Sequence, residues 1–315
     1  SRSRRCVTEP LRLVAALVEH GIVGAAQIAY RHGGEVVHGA YGCDPDDRLA
    51  LASLTKPAIA LACVEEIDLD TPCRALVPEA VCTATLRDLL SHQSGLPADS
   101  AAARRVQLEP AAGWAEVAAA YTAVEPVVEA RTRRIYSNAG YALAALMLER
   151  ATGASYRDLA GVPFDAVGAV EVREPGLLGH GEQLFNGARF RALALPQSGG
   201  YGTARGYLDL LEAIARQPDM LVNQGGALPG GVEGFMEWPV CDWAVGMELR
   251  DGKHPHWTGD ALSPSAATHF GASGTLCLID PARDLTAVVL ANRGTYSGWM
   301  LEPGGWPDIC AALVA

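Results

Sequence analysis

The spacing of apolar residues changes from one part of this chain to the next. Between residues 8 and 20 the apolar positions recur at helical spacing, which predicts a helix. Two apolar runs follow, at residues 22–30 and 35–41, and they flank the glycine pair Gly33 and Gly34. Two β-rich runs around such a pair predict a hairpin.

The middle of the chain has mostly helical patterns. Helices are predicted over residues 53–66, 85–90, 140–153 and 204–216, the third of them ended by glycine. The alanine-rich stretch 98–133 is helical or irregular. Residues 161–195 are rich in glycine and proline and have no clear period, and residues 217–240 are predicted to be loops.

The last third of the chain is rich in β-formers again. Strands are predicted at residues 242–249, 274–279 and 285–291, and a closing helix at 307–314. With strands at both ends and helices between them, we expect an α/β (α+β) fold. Its antiparallel sheet would come from the two chain ends and be flanked by helices. Residues 1–60 and 196–315 would form the sheet domain, and residues 61–195 a mainly helical inserted domain.

Composition and charge narrow the function classes. The 315 residues are 49% hydrophobic and 19% charged, so a large core is expected and disorder is not. The net charge of −11 argues against a nucleic acid or an anionic membrane as partner, and no apolar run reaches membrane-spanning length. We therefore expect a small-molecule partner.

The eight cysteines are scattered without a Cys-x-x-Cys pair, which argues against a zinc site and predicts free thiols. The first residues have no following apolar run of the kind a signal peptide contains. We expect a cytoplasmic protein, although removal of a leader stays open. No metal or cofactor is predicted, and the oligomeric state is left open.

The short run at residues 52–57 carries the clearest chemistry. It places Ser53 and Lys56 three residues apart, so the two side chains would share one helix face. A neutral lysine amine can take the proton of a hydroxyl and make it a nucleophile, whereas an arginine cannot. Lys56 and Lys253 are the only lysines among 25 basic residues, so the bias towards arginine spared position 56. The Ser-x-x-Lys spacing alone is also compatible with chance.

Two further segments follow in a characteristic order. Ser53-Leu54-Thr55-Lys56 is followed by Tyr136-Ser137-Asn138 and then by His269-Phe270-Gly271. This order resembles the serine β-lactamase and penicillin-binding-protein superfamily. Within it, the chain is most similar to the branch of class C β-lactamases, D,D-peptidases and β-lactamase-like esterases. The resemblance spans about residues 21–292 and implies a β-lactamase/transpeptidase-like fold.

The resemblance implies a role for each residue of the three segments. Ser53 would be the nucleophile that forms an acyl-enzyme, and Lys56 would share its proton. Tyr136 would pass a proton to the leaving group, and Asn138 would orient Lys56 and the substrate carbonyl. Gly271 would keep a strand edge open for the substrate. The backbone amides of Ser53 and Ala272 would form an oxyanion hole.

The third segment departs from the pattern of many β-lactamases of the family, which have Lys-Thr-Gly there. A histidine such as His269 resembles the peptidase and esterase branches, so it is included among the catalytic candidates. Phe270 and Ala272 lack the hydroxyls that help to hold a substrate carboxylate in the family, although Ser273 follows directly. Such a pocket should bind penicillins and D-Ala-D-Ala ends poorly.

The leading hypothesis is therefore a serine hydrolase that forms an acyl-enzyme on an ester or amide of a small molecule. A transacylase would use the same residues and is the alternative. A binding protein or sensor that stays acylated is a third possibility. A β-lactamase or D,D-carboxypeptidase is disfavoured by the third segment.

Other candidate residues have simpler interpretations. His92 is expected to tie down its loop rather than act as a base. His254 and His256 lack a third ligand at useful spacing, so a polar loop is favoured over a metal site, and Lys253 is placed in a polar turn. Three tryptophans either line an apolar acyl pocket or belong to the core, and both interpretations stay open. They are Trp238, Trp243 and Trp257.

Overall fold

Strands from the two ends of the chain form the central sheet of the computed structural model. The model describes the backbone of residues 2–179, 182–232 and 234–315. The strands in these ranges are β1 Ala26–His32, β2 Glu35–Tyr41, β3 Leu49–Ala50, β4 Arg134–Ile135, β5 Leu177–Gly179, β6 Glu182–Gln183, β7 Tyr201–Gly202, β8 Gly230–Val232, β9 Met236–Trp238, β10 Glu248–Leu249, β11 Ala267–Gly271, β12 Thr275–Asp280 and β13 Leu285–Ala291.

Helices occupy most of the middle of the chain and both of its ends. They are α1 Arg2–Glu19, α2 Thr55–Glu66, α3 Cys73–Leu76, α4 Leu86–Leu90, α5 Ala101–Leu108, α6 Trp114–Thr122, α7 Asn138–Thr152, α8 Tyr156–Leu159, α9 Ala188–Leu193, α10 Ala204–Ile214 and α11 Trp306–Val314. Within the described ranges, no helix combines the length and the apolar character that crossing a membrane requires.

The main sheet has six strands in the order β10-β11-β12-β13-β1-β2, and every neighbouring pair is antiparallel. The two chain ends meet where β1 pairs with β13, from Ala26 opposite Ala291 to His32 opposite Leu285. This confirms the predicted sheet built from both ends of the chain. The β1–β2 hairpin is also where the sequence predicts it.

Alternate residues of each strand face opposite sides of the sheet, as the period of two requires. Ile28 and Val289 belong to the core cluster that contains residues of α1 and α11. Ala29 and Val288 face the other way, into the larger cluster that contains α10, α2 and α7. The sheet therefore lies between two helical layers, and the second layer continues into the mainly helical region.

The segment boundaries at residues 60 and 195 stay a prediction, because one hydrophobic cluster contains residues from both sides of them. Two local predictions were wrong. Of the predicted strand 242–249 only Glu248–Leu249 is extended, and the predicted loop 217–240 contains β8 and β9. Residues 161–195, left unassigned, contain β5, β6 and α9.

The cysteines with described side chains carry free thiols, as predicted. The side chain of Cys6 lies outside the described part of the chain. Cys63 and Cys277 are fully buried in the larger cluster, and burial raises the pKa of Cys277 to about 12. Both residues behave as small hydrophobic side chains.

Candidate active site

Ser53 lies on a tight turn that enters α2. The sequence predicts a helix from Ser53, but residues Ala52–Leu54 form a short 3-10 turn and α2 begins at Thr55. Ala52 has a φ of +47°, which is strained for a residue with a side chain. The carbonyl oxygens of residues 50, 51 and 52 each accept a hydroxyl, from Ser273 at 2.5 Å, Thr275 at 3.1 Å and Thr55 at 2.7 Å. These bonds hold the turn in its strained conformation.

The side chain of Lys56 is fully buried beneath this turn. Its Nζ lies 3.1 Å from Ser53 Oγ and donates to the carbonyl oxygen of Gln197 at 2.9 Å. Burial lowers the pKa of Lys56 to about 7, and the charge of Asp99 opposes that shift. A large fraction of the amine is therefore neutral near pH 7, with a lone pair within hydrogen-bonding distance of the Ser53 hydroxyl.

Tyr136 completes a group of three around the Ser53 hydroxyl. Lys56 Nζ lies 4.8 Å from the centre of the Tyr136 ring, and the Tyr136 hydroxyl bonds to Ser53. Burial raises the pKa of Tyr136, and the bond to Ser53 offsets this only in part. The residue is therefore a phenol at neutral pH, suited to relaying a proton rather than to removing one unaided.

His92 fixes the segment that carries Tyr136. Its Nδ1 accepts the backbone N–H of Ser137 at 2.9 Å, and its ring centre lies 4.5 Å from that of Tyr136. Burial, with the charge of Lys56, keeps the pKa of His92 well below its usual value. This placement agrees with the predicted structural role.

Asn138 is the first residue of α7 and lines the same cleft as Ser53. Its backbone N–H donates to the carbonyl of Ala98 at 2.8 Å, which fixes the start of the helix. Its side-chain amide contacts the carboxylate of Asp99 at 3.4 Å. The expected orienting contact is thus made with Asp99 rather than with Lys56.

The end of β11 packs directly against the Ser53 turn. A Cβ on Gly271 would lie 2.4 Å from the carbonyl oxygen of Leu51 and 3.2 Å from the backbone N of Ser53, so only glycine fits. This close approach brings Ala272 into the cleft beside Ser53, as a shared oxyanion hole requires. Gly271 is therefore needed at least for packing against the turn.

The remaining residues of the third segment point away from the cleft. Burial, with the charge of Lys56, lowers the pKa of His269 to about 3, and its Nδ1 donates to the carbonyl of Phe270 at 2.9 Å. His269 is therefore neutral and supplies no positive charge. Phe270 packs on Trp257 and on a second tryptophan of the C-terminal layer. Ser273 is fully buried and donates to Ala50, so we assign it a role in holding the turn rather than a substrate contact.

The tryptophans left open by the sequence belong to the core: Trp238, Trp243 and Trp257 are at most 7% exposed. Trp243 lies behind the site, 4.6 Å from the ring centre of His92. None of the three is among the described residues that line the cleft. The acyl-pocket interpretation is therefore not supported.

Lys253 directly follows a turn at Asp251 and Gly252, as the predicted polar turn requires, but it is not exposed to solvent. It is buried, donates to the carbonyl oxygens of Asp242 and Leu249, and lies 3.7 Å from the buried carboxylate of Glu248. Burial alone would raise the pKa of Glu248, but the neighbouring His256 and the charge of Lys253 outweigh it and lower the pKa to about 2. Among the described residues, no group of three or more potential ligands could hold a metal ion.

Ser53, Asn138 and Ala272 open into a cleft of about 190 Å³. Part of its lining, the apolar wall, consists of Leu184, Phe185, Phe190 and Leu195. The polar part of its lining consists of Asp99, Arg104, Gln107, Asn138 and Gln197. Sequence analysis missed the apolar wall because the apolar residues of the stretch 161–195 have no clear period. The two phenylalanines of the wall, in this glycine-rich stretch, were the one sequence feature that could have indicated it.

The residues are thus brought together as a nucleophile, a buried amine, a phenol and an open cleft. Ser53, Lys56 and Tyr136 are in mutual contact, and Asn138, Gly271 and Ala272 surround the Ser53 turn. His269 and Ser273 stand behind this group. A larger groove of about 400 Å³ runs along Ile135, but none of the predicted site residues lines it.

Comparison with known proteins agrees with this geometry. The model of the family described as Beta-lactamase matches residues 11–298. A beta-lactamase from Mycobacterium bovis is 28% identical with a TM-score of 0.67, over 95% of this chain and 97% of that one. No curated protein matches the chain.

Two further solved structures share the fold at lower identity. EstCE1, described as a hydrolase with promiscuous acyltransferase activity, has a TM-score of 0.76 and 16% identity, over 100% of both chains. EstA from Arthrobacter nitroguajacolicus Rue61a has a TM-score of 0.69 and 18% identity, over 96% of this chain and 94% of that one. At such identities the likeness concerns the fold alone.

Proposed function

The chain belongs to the beta-lactamase family, and from this premise we propose that it is a serine hydrolase that forms an acyl-enzyme on an ester or amide of a small molecule. The observation that carries the proposal is the buried amine of Lys56, 3.1 Å from Ser53 Oγ and with a pKa near 7. A general base is most effective when its pKa lies close to the working pH.

Acylation begins when neutral Lys56 takes the proton of the Ser53 hydroxyl. Ser53 Oγ then forms a bond to the substrate carbonyl carbon, and the carbonyl electrons move onto oxygen. The backbone amides of Ser53 and Ala272 would bind that oxyanion. When the tetrahedral intermediate collapses, the bond to the leaving group breaks. Tyr136 gives its proton to the leaving group and regains one from Lys56.

Deacylation repeats these steps with water as the nucleophile. Water loses a proton to the Lys56–Tyr136 pair and attacks the acyl carbon, and Ser53 Oγ leaves and is reprotonated. The neutral His269 adds no charge to the site, and the half-buried Phe270 packs against Trp257. These two features disfavour a substrate that is recognised by its carboxylate.

The test is acylation by p-nitrophenyl esters of increasing chain length, followed by intact mass and peptide mapping. One acyl mass is expected on the peptide that contains Ser53, and Ser53→Ala should abolish it. Ser198 lines the same cleft, so Ser198→Ala is a matched control and should keep the label. Labelling that persists in Ser53→Ala would refute the proposal.

A transacylase is the second candidate, because an alcohol or amine could replace water on the same acyl-enzyme. The name of EstCE1 records such an activity for that protein, and the apolar wall beside Ser53 could hold an acceptor. Product analysis with added alcohols and amines separates the two. A single acylation without turnover would instead indicate an acylated sensor.

A further inference from the structure

The carboxylate of Asp99 lies in the cleft, and one of its two oxygens is held in place by hydrogen bonds. Its Oδ1 accepts the hydroxyl of Tyr121 at 3.0 Å and the backbone N–H of Ser100 at 2.8 Å. Tyr121 is itself buried and receives a bond from Gln107 at 3.1 Å. The carboxylate is therefore held in one orientation by groups behind the cleft wall.

The second oxygen of Asp99 has only distant partners. Asn138 Nδ2 lies 3.4 Å from Oδ2, and Arg104 Nε lies 3.9 Å from it. Charge-assisted bonds to a carboxylate are usually about 2.7–2.9 Å long. The side chain of Asp99 is 28% exposed. An anchored carboxylate with one poorly satisfied oxygen thus faces the space beside Ser53.

The lining of the same cleft also contains aromatic groups that suit a cationic ligand. Phe185, Phe190 and Tyr296 line the cleft, and aromatic faces attract cations, quaternary ammonium groups among them. Asp99 is the only acidic residue among the described residues that line the cleft. The net charge of −11 also favours the approach of a cation.

We propose that the substrate of this site carries a cationic amino or quaternary ammonium group. This group would bind to the Asp99 carboxylate and to the aromatic side chains that line the cleft beside Ser53. This inference rests on the proposed acyl-serine hydrolase and names the class of its substrate. Asp99 is then a specificity-determining residue, because its carboxylate binds a group of the substrate that lies away from the bond that is cleaved.

Arg104 offers a second test in the same cleft. Its removal should change the preference for a cationic substrate in the direction opposite to removal of the Asp99 charge. Arg104 lines the cleft, is 55% exposed and is the one basic residue among the described lining residues. Its charge competes with a cationic ligand for Asp99. Removing it should strengthen the preference for a cation, and removing the Asp99 charge should abolish that preference.

The experiment compares substrates that differ only in one charge. One pair is the p-nitrophenyl esters of 4-(trimethylammonio)butanoic acid and 5,5-dimethylhexanoic acid. The other is acetylcholine and 3,3-dimethylbutyl acetate, with the charge on the alcohol side. In each pair the ratio of kcat/KM for the cationic ester to that for its neutral isostere is measured, because it cancels effects common to both.

We expect a ratio of about tenfold in at least one pair, from an exposed charge pair together with cation–π contact. Asp99→Asn should bring this ratio close to one, and Arg104→Gln should raise it. Glu35→Gln removes an exposed charge on the β1–β2 hairpin and should leave the ratio unchanged.

Two failures are distinguishable. If neutral esters acylate Ser53 but neither pair shows a cation preference, or if Asp99→Asn keeps the preference, this inference is refuted and the proposed function stands. If no ester of any charge acylates Ser53, the proposed function itself fails.

Discussion

Replacing Lys56 by arginine tests the proposed base most directly. Arginine keeps the positive charge and much of the length of the side chain, but its guanidinium does not lose its proton in proteins. Burial moves the Lys56 pKa from 10.5 to about 7, a difference of about 5 kcal/mol between the two protonation states. At pH 7 this raises the neutral fraction of the amine on the order of a thousandfold.

The assay is pre-steady-state acylation by one activated ester, measured as a function of pH. In the parent protein the acylation rate should rise with pH through about 7, as Lys56 loses its proton. Lys56→Arg should acylate at least about a hundredfold more slowly, the lower range for a positioned proton-transfer group. It should also lose the rise with pH near 7.

The control is Lys253→Arg. Both lysines are buried, so both substitutions are expected to destabilise the fold, but only Lys56 contacts Ser53. Rates are therefore expressed per folded protein, with folding followed by circular dichroism. If well-folded Lys56→Arg acylates at the parent rate, then Lys56 acts only through its positive charge and not as a base. Tyr136 could not readily take over, because burial raises its pKa.

Four further outcomes are expected. Lys253→Arg should lower the free energy of unfolding by about 1–3 kcal/mol, since a larger group enters a filled site, whereas unchanged stability in urea denaturation would contradict its burial. Lys56→Met should raise the free energy of unfolding at pH 7 by up to about 4 kcal/mol, the cost at that pH of a pKa lowered from 10.5 to about 7. The folded-state pKa of Lys56 is depressed, so the parent protein gains stability between pH 7 and 10.5, and the advantage of the variant should shrink over that window; a constant difference would refute the argument. Tyr136→Phe should slow hydrolysis of alkyl esters more than that of p-nitrophenyl esters, because a good leaving group needs no proton; equal losses in kcat/KM would remove Tyr136 from that role. Uncharged short esters should exceed benzylpenicillin and D-Ala-D-Ala peptides in kcat/KM, and the reverse order would show that His269 and Phe270 have been misinterpreted.

Residues close together in sequence allowed much of the site to be predicted. Ser53 and Lys56 are three positions apart near a helix start, so their contact follows from local geometry. The three segments in their order then indicated the family, and the family supplied Tyr136 and Gly271. Strands of clear period at both chain ends were enough to predict the central sheet.

The exposure and the pKa of a side chain depend on burial in the folded protein, so they could not be predicted from the local sequence pattern. Lys253 and Lys56 are the same residue type, and the sequence placed Lys253 in a polar turn without indicating that its amine, like that of Lys56, is buried. His269 lies on β11, where the pattern predicted no strand, and its burial together with the charge of Lys56 keeps it neutral. A pKa is set by desolvation and by charges that arrive from distant parts of the chain.

The sequence by itself determined the sheet built from the chain ends, the order of the three segments and the candidate nucleophile with its neighbouring amine. Only the tertiary structure decided which side chains face the cleft. It turned Phe270 and Ser273 away and brought Asp99 and the aromatic residues of an unassigned stretch next to Ser53. The physical reason is that most of these contacts join residues that are distant in the chain, such as Ser273 and Ala50, and no local periodicity encodes which of them will meet.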